Sequence, residues 1–210
     1  MKWKKITVGP VQENTYIIYN SKNEAVIIDP GSEGKRIIQN IGSLGLKPLA
    51  ILLTHAHFDH IGAVDEVREH YNLPLYIHKR EADWLGNTKK NGSLYFGQRI
   101  TAKQASHVLS DNDKLLKIGS FSFEILITPG HSPGSISFYL KGANAVFSGD
   151  ALFAGSIGRT DLHGGNQEVL LQSIHDKLLV LPEETTVLSG HGPETTIGME
   201  MDSNPFLSGF

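Results

Sequence analysis

Residues 54–60 read Thr-His-Ala-His-Phe-Asp-His, so four side chains able to ligate a metal ion, His55, His57, Asp59 and His60, fall within six residues. Imidazole nitrogens and carboxylate oxygens suit zinc, iron or manganese. The cluster follows an apolar run, Leu49-Ala50-Ile51-Leu52-Leu53, with the length and composition of a buried strand, and precedes a helix-like pattern at Ala63, Val64, Val67 and Tyr71. A turn between strand and helix can aim the four side chains together. Three further apolar runs end in a ligand: residues 124–128 lead into Pro129-Gly130-His131, 145–148 into Gly149-Asp150, and 186–189 into Gly190-His191. Glycine omits Cβ and admits φ above zero, so each strand end can turn sharply and present the next side chain inward. One buried histidine alone is usually a packed core residue, whereas four strand ends that each carry a ligand point to a metal site at one sheet edge.

The candidates sort into His55, His57 and His131 as one facial set of three nitrogens, and Asp59, His60 and His191 as a second set, with Asp150 able to bridge them. Seven ligands exceed what one tetrahedral zinc accepts, but two divalent ions sharing a carboxylate and a water use them all. Zinc is the first expectation, with iron or manganese as alternatives. Two dications roughly 3.5 to 4 Å apart lower the pKa of a bridging water towards neutrality and polarise a carbonyl or phosphoryl oxygen, which is hydrolase chemistry. A structural zinc is closed by four ligands, commonly cysteines, and this mixed His/Asp set differs from that.

Composition narrows the classes. The chain has 210 residues, 40% hydrophobic and 20% charged, enough for a substantial core and by default one domain over residues 1–210. A net charge of −3 offers no overall positive field for phosphate backbones, so the expected partner is a small molecule and not nucleic acid. The basic start, Met1-Lys2-Trp3-Lys4-Lys5, is followed by no signal-type apolar segment, and no stretch is long enough to span a bilayer; the expectation is a cytoplasmic protein without a membrane partner. With no cysteine, disulfides are impossible and a transition-metal site must use imidazole and carboxylate.

Strand-like runs occupy residues 16–19, 25–28, 49–53, 75–77, 121–127, 135–140, 145–147 and 186–188, and amphipathic helical spacing occupies 34–41, 63–71, 79–85 and 167–179. This alternation predicts an α/β protein, and the hairpin signals among the first strands favour two packed sheets with outer helices over a doubly wound parallel sheet. Residues 86–104 form the one extended stretch without strong periodicity and are a candidate substrate wall. Tyr95 and Phe96 within it are expected to pin the loop to the core, as loop aromatics usually do.

In this order, the motifs Asp29-Pro30-Gly31, Thr54-His55-Ala56-His57-Phe58-Asp59-His60, Thr128-Pro129-Gly130-His131-Ser132-Pro133-Gly134-Ser135, Ser148-Gly149-Asp150-Ala151-Leu152-Phe153, Gly158-Arg159-Thr160-Asp161 and Gly190-His191-Gly192-Pro193 resemble the metallo-β-lactamase superfamily. The resemblance covers nearly the whole chain. Within the superfamily it is strongest to the short bacterial glyoxalase II (hydroxyacylglutathione hydrolase)-like hydrolases. It implies an αββα sandwich with the metal site at one edge of the two sheets, and metal ligation at the same seven positions. It further implies hydrolysis of a small-molecule thioester, S-lactoylglutathione being the reference substrate, by a metal-bridging hydroxide that Asp59 orients and Asp150 fixes. A thiol leaves with a pKa of about 8.5, far below that of an amine, so a dedicated general acid is not required. Two departures bear on the carrier: full-length glyoxalase II enzymes have a longer, helical C-terminal part that helps hold glutathione, and residues 156–159 read Ser-Ile-Gly-Arg where glutathione-specific members carry lysine and tyrosine.

Asp29 matches a family position that supports the metal-bearing loops, a role compatible with its Asp-Pro-Gly turn. Arg159 has two readings, a bidentate contact to a substrate carboxylate or an internal ion pair with Asp161. His70, His78, His107, His163 and His175 lie outside the motifs, where surface or packing roles suffice. Two rival functions share the scaffold. A mononuclear iron persulfide dioxygenase needs two histidines and one aspartate, which would leave His60 and His191 idle. A non-catalytic binding protein would have no use for intact ligands. A β-lactamase with a cysteine ligand is impossible in a chain without cysteine.

Overall fold

The computed structural model describes residues 1–208, which divide into two compact units. The first takes Met1–Ser110 with Lys117–Phe121; the second takes Asp111–Leu116 and the chain from Ser122 on. Each unit has its own core.

In the first unit, β1 (Lys2–Val8), β2 (Glu13–Tyr19), β3 (Glu24–Ile28), β4 (Lys47–Leu52), β5 (Leu75–His78) and β6 (His107–Leu109) form one sheet in sequential order. The first three strands pair antiparallel and the rest parallel, with helices supplying the crossovers. Helix α1 (Gly34–Ser43) buries Ile37 and Ile41, one turn apart on one face. After the four-residue α2 (Phe58–Ile61), α3 (Val64–Tyr71) buries Val64 and Val67. Because β3 and β4 run parallel, their C-terminal ends meet, and Asp29 N–H donates to Leu52 O at 3.1 Å.

The chain continues with β7 (Leu115–Ile118), β8 (Phe121–Ile127), β9 (Ile136–Leu140), β10 (Ala145–Gly149), a small ribbon of β11 (Leu152–Phe153) and β12 (Ser156–Ile157), β13 (Thr186–Ser189) and β14 (Thr195–Thr196). The large sheet runs β14-β13-β10-β9-β8-β7. Strands β9 (Ile-Ser-Phe-Tyr-Leu) and β10 (Ala-Val-Phe-Ser-Gly) are buried along their whole length, which explains why neither carries a charged residue. β10 and β13 are parallel neighbours, and β8 and β10 each run antiparallel to β9, so all three end on the same sheet edge. Those are the strands that lead into His131, Asp150 and His191. Outside the sheet, α4 (Gln167–Ser173) passes at Ile174 into a π-helical turn, and α5 (Ile197–Ser203) follows β14.

Every strand and helix expected from periodicity is present with two changes of type: residues 79–84 are a 3₁₀ helix, and the helix expected over 167–179 is π-helical over residues 174–178. The 3₁₀ turn repeats every three residues, and it buries His78, Glu81 and Trp84 in a row. No described helix is long and apolar enough to cross a membrane.

Candidate metal centre

In the first unit, Asp29 organises the histidine loop. Its backbone holds the left-handed conformation, φ 48°, which aspartate tolerates better than most residues. Its Oδ1 accepts the Thr54 N–H at 2.8 Å, and its Oδ2 accepts both the Thr54 hydroxyl at 2.5 Å and His60 Nδ1–H at 3.0 Å. A hydroxyl that has given its proton to Asp29 can only accept from its other neighbour, so His55 Nδ1, 3.0 Å from Thr54 Oγ1, is the protonated nitrogen. Both His55 and His60 are thereby fixed in the tautomer with the lone pair on Nε2, the form that binds a cation. Their rings lie 4.1 Å apart, and the His57 ring stands edge-on to His55 at 4.8 Å. Asp59 Oδ2 is 3.8 Å from His60 Nε2.

The second unit repeats the device with a main-chain acceptor. His131 Nδ1–H donates to the Arg159 carbonyl at 2.8 Å, again leaving the lone pair on Nε2. That nitrogen lies 3.6 Å from Asp150 Oδ2, and His191 Nε2 lies 3.6 Å from the same oxygen. Gly190 N–H bonds Gly149 O at 2.8 Å, which registers the two strand ends that carry His191 and Asp150. Of the glycines before the ligands, Gly130 (φ 130°) and Gly149 (φ 51°) have positive φ, but Gly190 does not; near His191 the left-handed residue is Gly192 (φ 79°).

A lone pair set against a carboxylate oxygen is repulsive unless a proton or a cation intervenes. Ligands roughly 2.0–2.2 Å from a tetrahedral zinc lie about 3.3–3.6 Å from one another, close to the separations about Asp150 and between Asp59 and His60. Nitrogen and carboxylate donors, pre-set tautomers and these spacings fit a divalent metal.

Arg159 is engaged by Asp161 in a bidentate pair, Nε to Oδ1 at 2.7 Å and Nη2 to Oδ2 at 2.8 Å. Hydrogen bonding by the Arg159 guanidinium lowers the Asp161 carboxyl to about 2. His78 is fully buried and caps the 3₁₀ helix by accepting Arg80 N–H, whereas His107 stacks on Tyr76 at 4.4 Å. Tyr95, 70% exposed, corrects the expectation that it pins its loop to the core, whereas Phe96, 48% exposed, packs on the buried Phe58 with ring centres 5.0 Å apart.

Three participants escaped sequence reasoning. Glu81, fully buried, accepts the Ala56 N–H between His55 and His57 at 2.6 Å. Only the three-residue spacing of His78, Glu81 and Trp84 signalled it. Glu13, buried at the start of β2, has Oε1 3.8 Å from His60 Nδ1, and burial pushes its carboxyl well above the usual carboxylate range while His60 opposes the rise. An acid opening an apolar strand was the available hint. The third is the Arg159 carbonyl, which no side-chain pattern can reveal.

The family model of the metallo-beta-lactamase superfamily matches residues 8–191. The chain belongs to the metallo-β-lactamase superfamily. Within it, the chain is 58% identical over 211 residues to "Probable metallo-hydrolase YqgX" of Bacillus subtilis (strain 168), covering 100% of this chain and 99% of that one. It is 39% identical over 204 residues to "Hydroxyacylglutathione hydrolase GloC" of Haemophilus influenzae, covering 97% and 96%. Among solved superfamily structures, the BLEG-1 B3 metallo-beta-lactamase matches with TM-score 0.97 and 55% identity over 99% of this chain and 100% of that one. TTHA1623 in a di-iron-bound form matches with TM-score 0.86 and 42% identity over 97% and 100%. The protein is a metal-dependent hydrolase of the metallo-β-lactamase superfamily, with its α/β fold.

Proposed function

We propose that this hydrolase cleaves small-molecule thioesters of the S-lactoylglutathione type, in the cytoplasm, using two divalent ions with zinc as the first candidate. His55, His57 and His131 would hold one ion, Asp59, His60 and His191 the other, and Asp150 both. The observation that carries this proposal is the single Asp150 oxygen that two Nε2 atoms, one from each set of ligands, face at 3.6 Å, so that one carboxylate would serve both ions. When bound, such ions supply a water of near-neutral pKa and polarise the thioester carbonyl. The chain's own residues do the rest. Asp29, through Thr54 and directly, keeps the His55 and His60 lone pairs on Nε2, and the Arg159 carbonyl does the same for His131. Asp59, 16% exposed, would orient the attacking water. Binding by His60 and His191 would distinguish this site from a mononuclear dioxygenase, and the tautomer that Asp29 imposes on His60 supports a ligating role.

A second reading, β-lactam hydrolysis, is favoured by the 55% identity to BLEG-1. Lack of cysteine excludes only lactamase sites that need a thiolate. The two differ in the leaving group: a thiolate departs unaided, whereas an amide nitrogen needs a proton.

The test is a side-by-side assay of purified metal-loaded protein with S-lactoylglutathione, a chromogenic cephalosporin, and a persulfide under an oxygen electrode. Thiol release with kcat/KM at least 100-fold above that for the cephalosporin, and no oxygen uptake, is expected. Faster cephalosporin turnover, or oxygen uptake without thioester cleavage, overturns the proposal.

A further inference from the structure

Next to Asp59, the first unit contains a narrow cleft of about 40 Å³, walled mainly by Val8, Pro10, Val11, Phe58 and Ile100, with Ser32 and Gln98 as its uncharged polar side chains. Both walls are braced by hydrogen bonds. On one side, Gly9 N–H donates to Glu33 Oε1 at 2.8 Å and Gln12 closes on Gly9 O, which fixes the β1–β2 turn and leaves Val11 39% exposed. On the other, buried Asn91 donates to Ile100 O at 2.9 Å, accepts from Ser93 N–H at 3.0 Å, and through its own carbonyl receives Phe58 N–H at 3.0 Å. The wall is therefore tied directly to the metal-binding motif. Phe96, exposed at the rim, packs on Phe58 with ring centres 5.0 Å apart.

Exposed apolar side chains held rigidly beside a reactive centre cost solubility and call for a ligand. The cleft has no basic lining residue, and Asp59 is its one charged lining residue. An anionic carrier is repelled there; an uncharged apolar chain is not. Gly31 forms part of the floor, where a Cβ would come within 1.8 Å of Asp59 O, so floor and motif are in van der Waals register. We propose that this cleft is the acyl pocket, and that the enzyme selects thioesters by the apolar chain on the acyl side. The inference rests on the thioester reading above. The space inside it is about 40 Å³, a few times the roughly 10–15 Å³ that one water needs, so it admits a short chain and nothing larger.

The experiment measures kcat/KM for acetyl, propionyl, butyryl and hexanoyl thioesters of glutathione with the metal-loaded wild type, Val11→Ser and Val11→Trp. Val11 is exposed, so both variants should fold, and circular dichroism with thermal melts checks this. In wild type, each methylene through butyryl is expected to raise kcat/KM about 3–4-fold. Val11→Ser should reduce that to less than about 2-fold per methylene, and Val11→Trp, by wedging the cleft, should push butyryl and hexanoyl below acetyl. Hydrolysis with no chain-length dependence, or a dependence that neither variant alters, overturns the acyl pocket and leaves the thioester assignment standing. Failure to cleave any of the four thioesters overturns both.

Discussion

Asp29 touches three groups with two oxygens, and two of those contacts set a histidine lone pair, one through the Thr54 hydroxyl to His55 and one directly to His60. That makes it the residue through which a small change should reach the metal without removing a ligand. Asp29→Asn keeps the size but replaces one acceptor oxygen with a donor. Either Thr54 or His60 then loses its acceptor, and the imidazole can turn its proton to Nε2. Metal affinity measured by chelator competition is expected to fall about 10–100-fold, with the melting profile of the metal-free protein changed far less. An unchanged affinity contradicts the orienting role. The seven candidate ligands were legible because side-chain chemistry and strand-end position both appear in the sequence. Glu81 and the Arg159 carbonyl were not, since one depends on 3₁₀ instead of α periodicity and the other on a backbone atom that every residue carries. Arg159 shows the limit of residue-type reasoning: the same guanidinium fits a substrate carboxylate or Asp161, and only coordinates reveal that Asp161 occupies its fork.

At the scale of elements, the site depends on strand ends and on what lies immediately behind them. Glu81→Leu leaves the Ala56 N–H buried without its acceptor, a cost of about 1–3 kcal/mol. That corresponds to a melting temperature lower by roughly 2–10 °C in a chain of this size. Glu81→Gln retains a carbonyl acceptor and should recover most of the loss; equal melting of the two variants refutes the bracing. In the second unit, a Cβ on Gly158 would stand 1.9 Å from Asp150 O and 3.2 Å from His131 Cβ, whereas Gly142 has nothing within 4 Å. Gly158→Ala is therefore expected to destabilise by about 1–3 kcal/mol and to lower bound metal, and Gly142→Ala to stay within about 0.5 kcal/mol of wild type. Denaturant titration of the pair decides. The long apolar strands and amphipathic helices were predictable for the same reason that they are stable, their repeated burial pattern. Short elements such as β11, β12, β14 and α2 were not, because two to four residues carry no period, and lysine-rich β1 disguised an edge strand as solvated chain.

For the whole molecule, the metal couples folding, protonation and activity. Imidazole ligands must be neutral to bind, and an unperturbed imidazole titrates near pH ~6.5, so bound metal and hydrolysis should fall together below about pH 6. The exposed Arg159–Asp161 pair should play no part in that loss: with its carboxyl lowered to about 2, Asp161 stays ionised until pH falls through that value. Loss of activity with metal content unchanged across that range would contradict the coupling. The direct test of the central claim is elemental quantification of purified wild type, Asp150→Ala and His70→Ala, paired with their hydrolytic rates. Two divalent ions per chain are expected in wild type and in His70→Ala. In Asp150→Ala, metal content should fall below about one ion and the rate at least about 100-fold, since the bridging oxygen is gone. Full hydrolytic activity in metal-stripped protein, or equal metal loss in the Asp150 and His70 variants, would contradict the account.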